Sequence, residues 1–260
     1  MNATRKQLRQ RLELEQMLGG ESLPKRGRLR AASSAPILLP PPPGEGKGEG
    51  NSADPTVIGL AELAARVSQC TTCRLCKGRA NVVFGEGNPH ASLVFVGEAP
   101  GADEDRLGRP FVGRAGQLLN DIVVKGMGLR REDVYIANVC KCRPPDNRTP
   151  SPDEMADCLP FLLGQLELIH PKVIVALGAT AAQGLLNTTE GVGRLRGQPH
   201  PLQLAGLEGT IPVVVTYHPA YLLRNYSPDA RLKVWQDIQA AMAIAGIPIP
   251  RKKPKGEQDA

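Results

Sequence analysis

The sequence predicts an α/β fold, a three-layer α/β/α sandwich around a four-stranded parallel sheet. Short apolar runs of strand length lie at about 93–97, 134–139, 173–177 and 213–217. Segments with helical periodicity lie between these runs. Strands that alternate with helices usually form a parallel sheet that is covered on both faces. The 260 residues suffice for one such domain with additional segments.

The helices can be placed from their apolar spacing and their start signals. The clearest start is Ser151 as N-cap, with Pro152 in the first helical position and Glu154 in the third. A short strand is predicted at 81–84 and a loop rich in Gly and Arg after residue 186. The predicted helices cover residues 57–69, 114–127, 153–169, 179–186 and 229–245.

The folded domain is predicted to span residues 56–246. Residues 1–55 read as a mostly disordered extension with a short helix at 1–20, because Gly, Pro, Ser and charge dominate the rest of that segment. Residues 247–260 read as a basic tail. The net charge of +6 is compatible with an anionic partner such as nucleic acid, but basic terminal segments contribute to it whatever the partner.

Neither a membrane helix of about 18 apolar residues nor the apolar core of a signal peptide occurs in the sequence. We therefore expect an intracellular protein that is cytoplasmic and associated with the nucleoid. We also expect it to be a monomer that does not bind a membrane. Disulfides are unusual in that compartment. The six cysteines then require another explanation, which is metal binding, redox chemistry or chance.

Polar residues follow all four predicted parallel strands. They lie at 97–101, at Asn138, at 178–180 and at 218–220. Because the carboxyl ends of parallel strands meet at one edge of the sheet, these residues should converge on one crevice. The first of these segments runs from a buried strand through a glycine-rich turn into a helix, a geometry that leaves backbone N–H groups facing a ligand.

The cysteine spacing indicates a metal centre. Cys70 and Cys73 form a CxxC pair, and Cys76 extends it to CxxCxxC. Four thiolates can hold tetrahedral zinc or a 4Fe-4S cluster. A second pair formed by Cys142 and Cys158 would be interrupted by a long Pro-rich loop, which favours a cluster over zinc. Six unrelated buried cysteines remain the alternative.

Several long motifs occur in an uninterrupted order between residues 60 and 243. They read GEAPGADED, GRPFVGRAGQLL, YIANVCKCRPPDNRTP, RLRGQPHPL and YHPAYLLRN, with the CxxC pair upstream. In these motifs the chain resembles the family 4 uracil-DNA glycosylases, the iron–sulfur branch of their superfamily. The resemblance implies hydrolysis of the N-glycosidic bond of uracil in DNA, single- or double-stranded. It also implies a structural 4Fe-4S cluster held by Cys70, Cys73, Cys142 and Cys158, with Cys76 and Cys140 as additional thiols.

The resemblance also assigns roles in the pocket. Phe111 would stack on the flipped base, Asn138 would pair with its O4 and N3–H, and His218 would stabilise negative charge at O2. A loop with Leu222, Leu223 and Arg224 would enter the duplex and hold a phosphate. The implied uracil pocket comprises Gly97, Glu98, Ala99, Asp103, Phe111, Asn138 and His218.

One position departs from the best-known uracil glycosylases, which carry a water-orienting Asp where this chain has Ala99. Glu98 and Glu104 are the candidates for that function, and Glu104 is favoured because Asp103 or Asp105 could tune its pKa. Alternatively, these acids only cap the following helix or pair with nearby arginines.

A related branch forms a covalent DNA adduct through a histidine in the loop that corresponds to residues 144–152. Here that loop reads PPDNRTPSP, which predicts turnover instead. The competing function is a non-catalytic iron–sulfur or zinc DNA-binding module. The first 55 residues could add a DNA contact or bind a protein partner such as a sliding clamp.

Overall fold

The computed structural model describes residues 54–250 and contains a mixed sheet between two layers of helices. Within these residues the sheet has six strands in the order β1–β3–β2–β4–β6–β5. The strands are β1 (Glu86–Gly87), β2 (Leu93–Gly97), β3 (Tyr135–Asn138), β4 (Val173–Leu177), β5 (Pro199–Gln203) and β6 (Thr210–Thr216). The four strands β2, β3, β4 and β6 are parallel, which confirms the predicted α/β class and its central sheet.

Helices cover both faces of the sheet. They are α1 (Pro55–Ser68), α2 (Ala102–Leu107), α3 (Arg114–Asp121), α4 (Pro152–Ile169), α5 (Ala179–Leu186), α6 (Val192–Leu195), α7 (Pro219–Arg224) and α8 (Pro228–Ala245). A π-helical turn (Ile122–Gly126) continues α3, and short 3-10 helices lie at Arg74–Lys77, Arg131–Asp133 and Pro145–Asn147.

Alternation along the strands separates the two cores. On β2, Val94 and Val96 face a core with α1, α4 and α5, whereas Leu93 and Phe95 face a core with α3, α7 and α8. All five β2 residues are buried, as expected for a central parallel strand that is covered on both faces. This arrangement is the predicted three-layer sandwich.

The two antiparallel edge strands were not predicted. β5 pairs antiparallel with β6, although its sequence PHPLQ contains two prolines that restrict it to an edge position. β1 has only two residues and pairs antiparallel with β3. The strand predicted at 81–84 is not formed. The Val83 N–H donates to the Lys141 carbonyl oxygen, but this isolated hydrogen bond does not extend into a ladder.

The start of α4 agrees with the prediction in detail. Ser151 Oγ accepts from the Glu154 backbone N–H, and Glu154 accepts from the Ser151 N–H, which forms a complete capping box. The predicted segments before residue 54 and after residue 250 lie outside the described residues. No helix within the described part is long and apolar enough to cross a membrane.

Candidate functional site

A cavity of about 610 Å³ lies at the carboxyl ends of the four parallel strands. Residues from every predicted strand end contribute to its wall. Of the predicted pocket residues, the structure brings five to this wall: Glu98, Ala99, Phe111, Asn138 and His218. The convergence follows from the parallel topology, which places all these strand ends on one edge of the sheet.

Asn138 ends β3 and is only 2% exposed. Its Oδ1 is buried and has no hydrogen-bond partner within residues 54–250. A buried acceptor without a partner costs free energy, on the order of 1–3 kcal/mol. Asn138 lines the cavity, so a ligand there that carries a hydrogen-bond donor would be the natural partner for this acceptor.

Phe111 has an unusual backbone conformation, with φ at +50°. A Cβ on Gly116 would lie 2.0 Å from the Phe111 carbonyl carbon, so only glycine permits this close approach. The Phe111 ring lies 5.7 Å from the His218 ring, centroid to centroid, with the planes tilted by 32°. The local strain therefore fixes an aromatic face beside His218.

His218 is the N-cap of α7, and its Nδ1 accepts a hydrogen bond of 3.1 Å from the Ala220 backbone N–H. Burial, together with the nearby Arg224 cation, lowers the pKa of His218 to about 4. The imidazole is therefore neutral at pH 7. Because Nδ1 is the acceptor, the single proton is on Nε2, where it can be donated to a ligand.

Two carboxylates reach the cavity, and each has one oxygen held by the protein. Glu104 Oε1 accepts from the backbone N–H groups of Val112 at 2.9 Å and Gly113 at 2.8 Å. Glu98 Oε2 accepts from the Thr180 hydroxyl. Gly113 is the N-cap of α3, so the helix-capping alternative for Glu104 is observed, although Glu104 still lines the cavity.

Asp103 and Asp105, the acids that favoured Glu104 in the sequence, do not line the cavity with it. Asp103 has a 57% exposed side chain, pairs with Arg106 and does not line the cavity. Asp105 is buried and accepts from the Ala80 backbone N–H at 2.9 Å. The structure therefore places Asp103 outside the lining of this cavity. Gly97 is likewise not part of the cavity lining.

The predicted DNA-entering loop is a helix. Leu222 lies on α7, is 2% exposed and packs in the core with α3 and α8, so it is not available to enter a duplex. The prediction for Leu222 is corrected on this point. Leu223 is half-buried, while Arg224 is exposed at the rim of the cavity. The apolar character of Leu222 reflects the amphipathic pattern of a surface helix.

The prediction missed several polar residues of the loop between β3 and α4. Asn147, Arg148 and Thr149 line the cavity and are exposed. Asp146 and Asn147 have φ of +53° and +54°, a conformation that these two residue types tolerate well. The run of polar residues between prolines was the available signal for such a turn.

Glu154 anchors this loop to the cysteine segment. Its carboxylate pairs with Arg148 at 2.7 Å and with Arg74 at 2.6 Å. The Arg148 hydrogen bond is the main reason that the pKa of Glu154 lies well below its usual range. The capping glutamate of α4 thus also joins the rim of the cavity to the segment that carries the CxxC pair.

A second, smaller pocket contains most of the cysteines. Its wall includes Cys70, Cys73, Cys76, Cys142 and Cys158. Within residues 54–250, however, no three His, Cys, Asp or Glu side chains form a ready-made site for a single metal ion.

Cys140 lies apart from this pocket. It is completely buried and its thiol donates to the Glu154 carbonyl oxygen at 3.8 Å. A hydrogen bond between Cys140 and Cys158 raises the pKa of Cys140 and lowers that of Cys158. This hydrogen bond therefore favours the thiol form of Cys140 and the thiolate form of Cys158.

Two of the thiols in the pocket accept hydrogen bonds. Arg79 Nη1 donates to Cys142 Sγ at 3.2 Å, and the Lys141 backbone N–H donates to Cys158 Sγ at 3.2 Å. Hydrogen bonds and positive charge of this kind stabilise thiolates and tune the centres they bind. The donor chemistry of the pocket therefore fits a thiolate-bound metal or iron–sulfur cluster.

Comparison with known proteins identifies the family. A family model described as the uracil DNA glycosylase superfamily matches residues 84–239. A type-4 uracil-DNA glycosylase from Thermotoga maritima is 52% identical over 183 residues, which cover 70% of this chain and 92% of the relative. A type-4 enzyme from Archaeoglobus fulgidus is 43% identical over 191 residues, with 72% and 94% covered. A type-5 enzyme from Thermus thermophilus is 31% identical over 191 residues, with 59% and 85% covered. The family predicted from the motifs is confirmed, and the chain belongs to the type-4 branch of the uracil DNA glycosylase superfamily.

Proposed function

We propose that this protein hydrolyses the N-glycosidic bond of uracil in DNA, releasing free uracil and leaving an abasic site. The observation that carries the proposal is the buried, unpartnered Oδ1 of Asn138 in a cavity that also contains Phe111 and His218. These three residues offer an amide, an aromatic face and a neutral imidazole donor. Together they match the edge, the ring face and the leaving-group oxygen of a flipped uracil.

Uracil presents an N3–H donor beside its O4 acceptor. Asn138 Oδ1 can accept from N3–H while its Nδ2 donates to O4, whereas cytosine presents the reverse pattern at the same positions. Flipping the base from the duplex costs a few kcal/mol, and stacking on Phe111 offsets part of that cost. The selectivity for uracil therefore depends on a fixed orientation of the Asn138 amide.

As the glycosidic bond breaks, negative charge develops on the leaving base. We assign His218 Nε2–H as the donor to uracil O2, because Nδ1 is already occupied by the Ala220 N–H. A preorganised donor in a site that excludes water stabilises this charge without reorganisation. A neutral imidazole is sufficient for this role, so no proton transfer from His218 is required.

The attacking water requires an acceptor, and Ala99 cannot provide one. We assign this role to Glu104, whose Oε1 is fixed by two backbone N–H groups while its Oε2 has no hydrogen-bond partner within the described residues. Glu98 is the second candidate, since Thr180 holds one of its oxygens at the same cavity.

We further propose that Cys70, Cys73, Cys142 and Cys158 hold a 4Fe-4S cluster. When bound, the cluster would cross-link the segments that carry these cysteines, which is a structural contribution and not a redox step. Arg79 and the Lys141 amide would provide hydrogen bonds to the thiolates. Cys140 is left out of the ligand set because it does not line this pocket, and Cys76 is left as an additional thiol in the pocket.

The DNA itself would be held at the rim of the cavity. Arg224 is exposed there and can contact a phosphate, and Leu223 beside it is the remaining candidate for a contact with the duplex. The basic N-terminal extension could add a salt-dependent DNA contact or bind a protein partner. Comparing the full chain with a chain that lacks residues 1–54 tests this contribution.

The proposed activity is tested with labelled oligonucleotides that contain one uracil. We expect free uracil to be released from single- and double-stranded substrates in multiple turnovers, and Asn138→Ala and His218→Ala to reduce the release. Unchanged release by both variants would show that the pocket is elsewhere. DNA binding without any release would instead support the non-catalytic module. A stable protein–DNA adduct on a denaturing gel would contradict turnover.

A further inference from the structure

Lys141 has an unusual position for a lysine. It lies between Cys140 and Cys142 and is 1% exposed. Within residues 54–250 no carboxylate pairs with its ammonium group. Removing a charged amine from water is costly, and burial without a carboxylate partner is rare. An apolar residue could fill the same volume without that cost, so a specific interaction must explain the lysine.

The contacts of Lys141 connect it to Asn138. Its Nζ donates to the Asn138 carbonyl oxygen at 2.8 Å and to Gln165 Oε1 at 2.5 Å. Gln165 is itself fully buried and donates to the Tyr135 hydroxyl at 2.9 Å and the Phe84 carbonyl at 3.0 Å. A network whose members are all satisfied is rigid and holds its parts in one arrangement.

The backbone of Lys141 is also fixed. Its N–H donates to Cys158 Sγ at 3.2 Å, and its carbonyl accepts from the Val83 N–H at 2.8 Å. Hydrogen bonds therefore fix both the side chain and the main chain of Lys141. From this position it reaches back three residues to the carbonyl at the end of β3.

We propose that Lys141 is a positioning residue that holds Asn138 in the orientation needed to read uracil. The inference rests on the proposed uracil pocket. The peptide that follows Asn138 is held at both of its polar atoms. The Val139 N–H donates to the Gly97 carbonyl oxygen at 2.9 Å, and the Asn138 carbonyl oxygen accepts the bond from Nζ. Displacement of this peptide would shift Oδ1, and a misplacement of about 1 Å in a reacting geometry can cost a large factor in rate.

The test compares two buried substitutions in the same network. Lys141→Met keeps most of the side-chain volume but removes the bond to Asn138. The control Gln165→Met removes the other partner of Nζ and leaves the bond to Asn138 in place. Both changes should lower the melting temperature, so stability alone does not distinguish them.

The decisive readout is the dissociation constant of free uracil, measured together with kcat, KM and iron content. We expect Lys141→Met to weaken uracil binding by about tenfold. Gln165→Met should remain within about twofold of the wild type. Equal effects of the two variants, or a change in melting temperature alone, would overturn the proposal.

A second variant, Lys141→Gln, and an assay of the wild type complete the test. If Lys141→Met does not fold, Lys141→Gln replaces it, because its shorter neutral side chain also loses the contact and should weaken uracil binding. Unchanged uracil affinity in Lys141→Gln would likewise overturn the proposal. The wild type is assayed first: if it binds uracil but releases none from DNA, the proposed catalysis fails while the positioning role of Lys141 is still measured by affinity.

Discussion

Gly97 and Asn138 are register partners on neighbouring parallel strands, and a Cβ on Gly97 would lie 2.4 Å from Asn138 Oδ1. It would also lie 2.5 Å from the Phe111 ring. Asn138 and Phe111, which would face the uracil, can therefore keep these positions only if residue 97 is a glycine. Gly97 itself does not line the cavity. The absence of a side chain at this position leaves room for both.

Gly97→Ala should reduce uracil release by about 10²-fold, because the new methyl group displaces both Asn138 Oδ1 and the Phe111 ring. Single-turnover rate constants on a uracil oligonucleotide measure the effect. Gly193→Ala is the matched control, since a Cβ there meets nothing within 4 Å. A Gly97→Ala enzyme as active as the control would contradict the close packing.

His218→Ala should lower the single-turnover rate constant by about 10²- to 10³-fold, as expected for the loss of one donor to a developing oxyanion. His170→Asn serves as the control, because His170 has a φ of +50° that asparagine also tolerates. Circular dichroism on both variants verifies that the fold is retained.

The pH dependence distinguishes a neutral from a charged imidazole. With a pKa of about 4 against an ordinary value of 6.5, His218 is neutral throughout the range from pH 6 to pH 8. We expect no loss of rate attributable to His218 as the pH rises through 6.5. A decline there that is absent from His218→Gln would mean that the imidazolium is the active form.

Glu104→Gln should decrease the rate constant by about 10²-fold if Glu104 orients the water. The amide oxygen can still accept from Val112 and Gly113, so the melting temperature should change little. Asp103→Asn, outside the cavity and paired with Arg106, should leave the rate unchanged. If Glu98→Gln alone abolishes release, the water belongs to Glu98.

The cysteine variants should fall into two groups. Serine at each of the four proposed ligands should remove the visible absorbance of the cluster and most of the iron. Cys140→Ser should retain both, because Cys140 lies outside the pocket. Iron analysis of protein purified without oxygen measures this, and loss of iron in Cys140→Ser would change the assigned ligand set.

Arg224→Ala should weaken DNA binding and reduce the slope of log affinity against log salt concentration by about one unit, because one phosphate contact is lost. Arg66→Ala removes another exposed cation, from α1, and should leave the slope unchanged. Affinity titrations at several salt concentrations provide the comparison. Identical slopes would remove Arg224 from the DNA interface.

Local patterns explain which parts of the fold could be predicted. The apolar runs of β2 and β4 and the capping box at Ser151 are signals contained within a few residues, and they predicted these elements correctly. β5 escaped prediction because its prolines argue against a strand, and only its pairing with β6 makes it one.

The candidate site, too, could be predicted only where local sequence patterns determine it. Asn138 and His218 follow apolar runs, so the sheet topology was enough to bring them together. The burial of Leu222 and the contacts of Lys141 depend on packing between distant segments, which the sequence pattern does not contain. Asp103 and Glu104 are adjacent in sequence but differ in environment, because α2 turns one toward solvent and the other toward the cavity.

The cysteine pocket takes residues from both ends of a long stretch of chain, since Cys70 precedes β2 and Cys158 lies on α4. During synthesis, a ribosome-bound chain has no complete pocket until α4 has emerged and the intervening β2 and β3 have been translated. Glu154, which binds Arg74 across the same interval, arrives at the same stage. The complete pocket therefore requires that two of the four parallel strands have already been translated, and a chain truncated before residue 158 would lack one of its five cysteines.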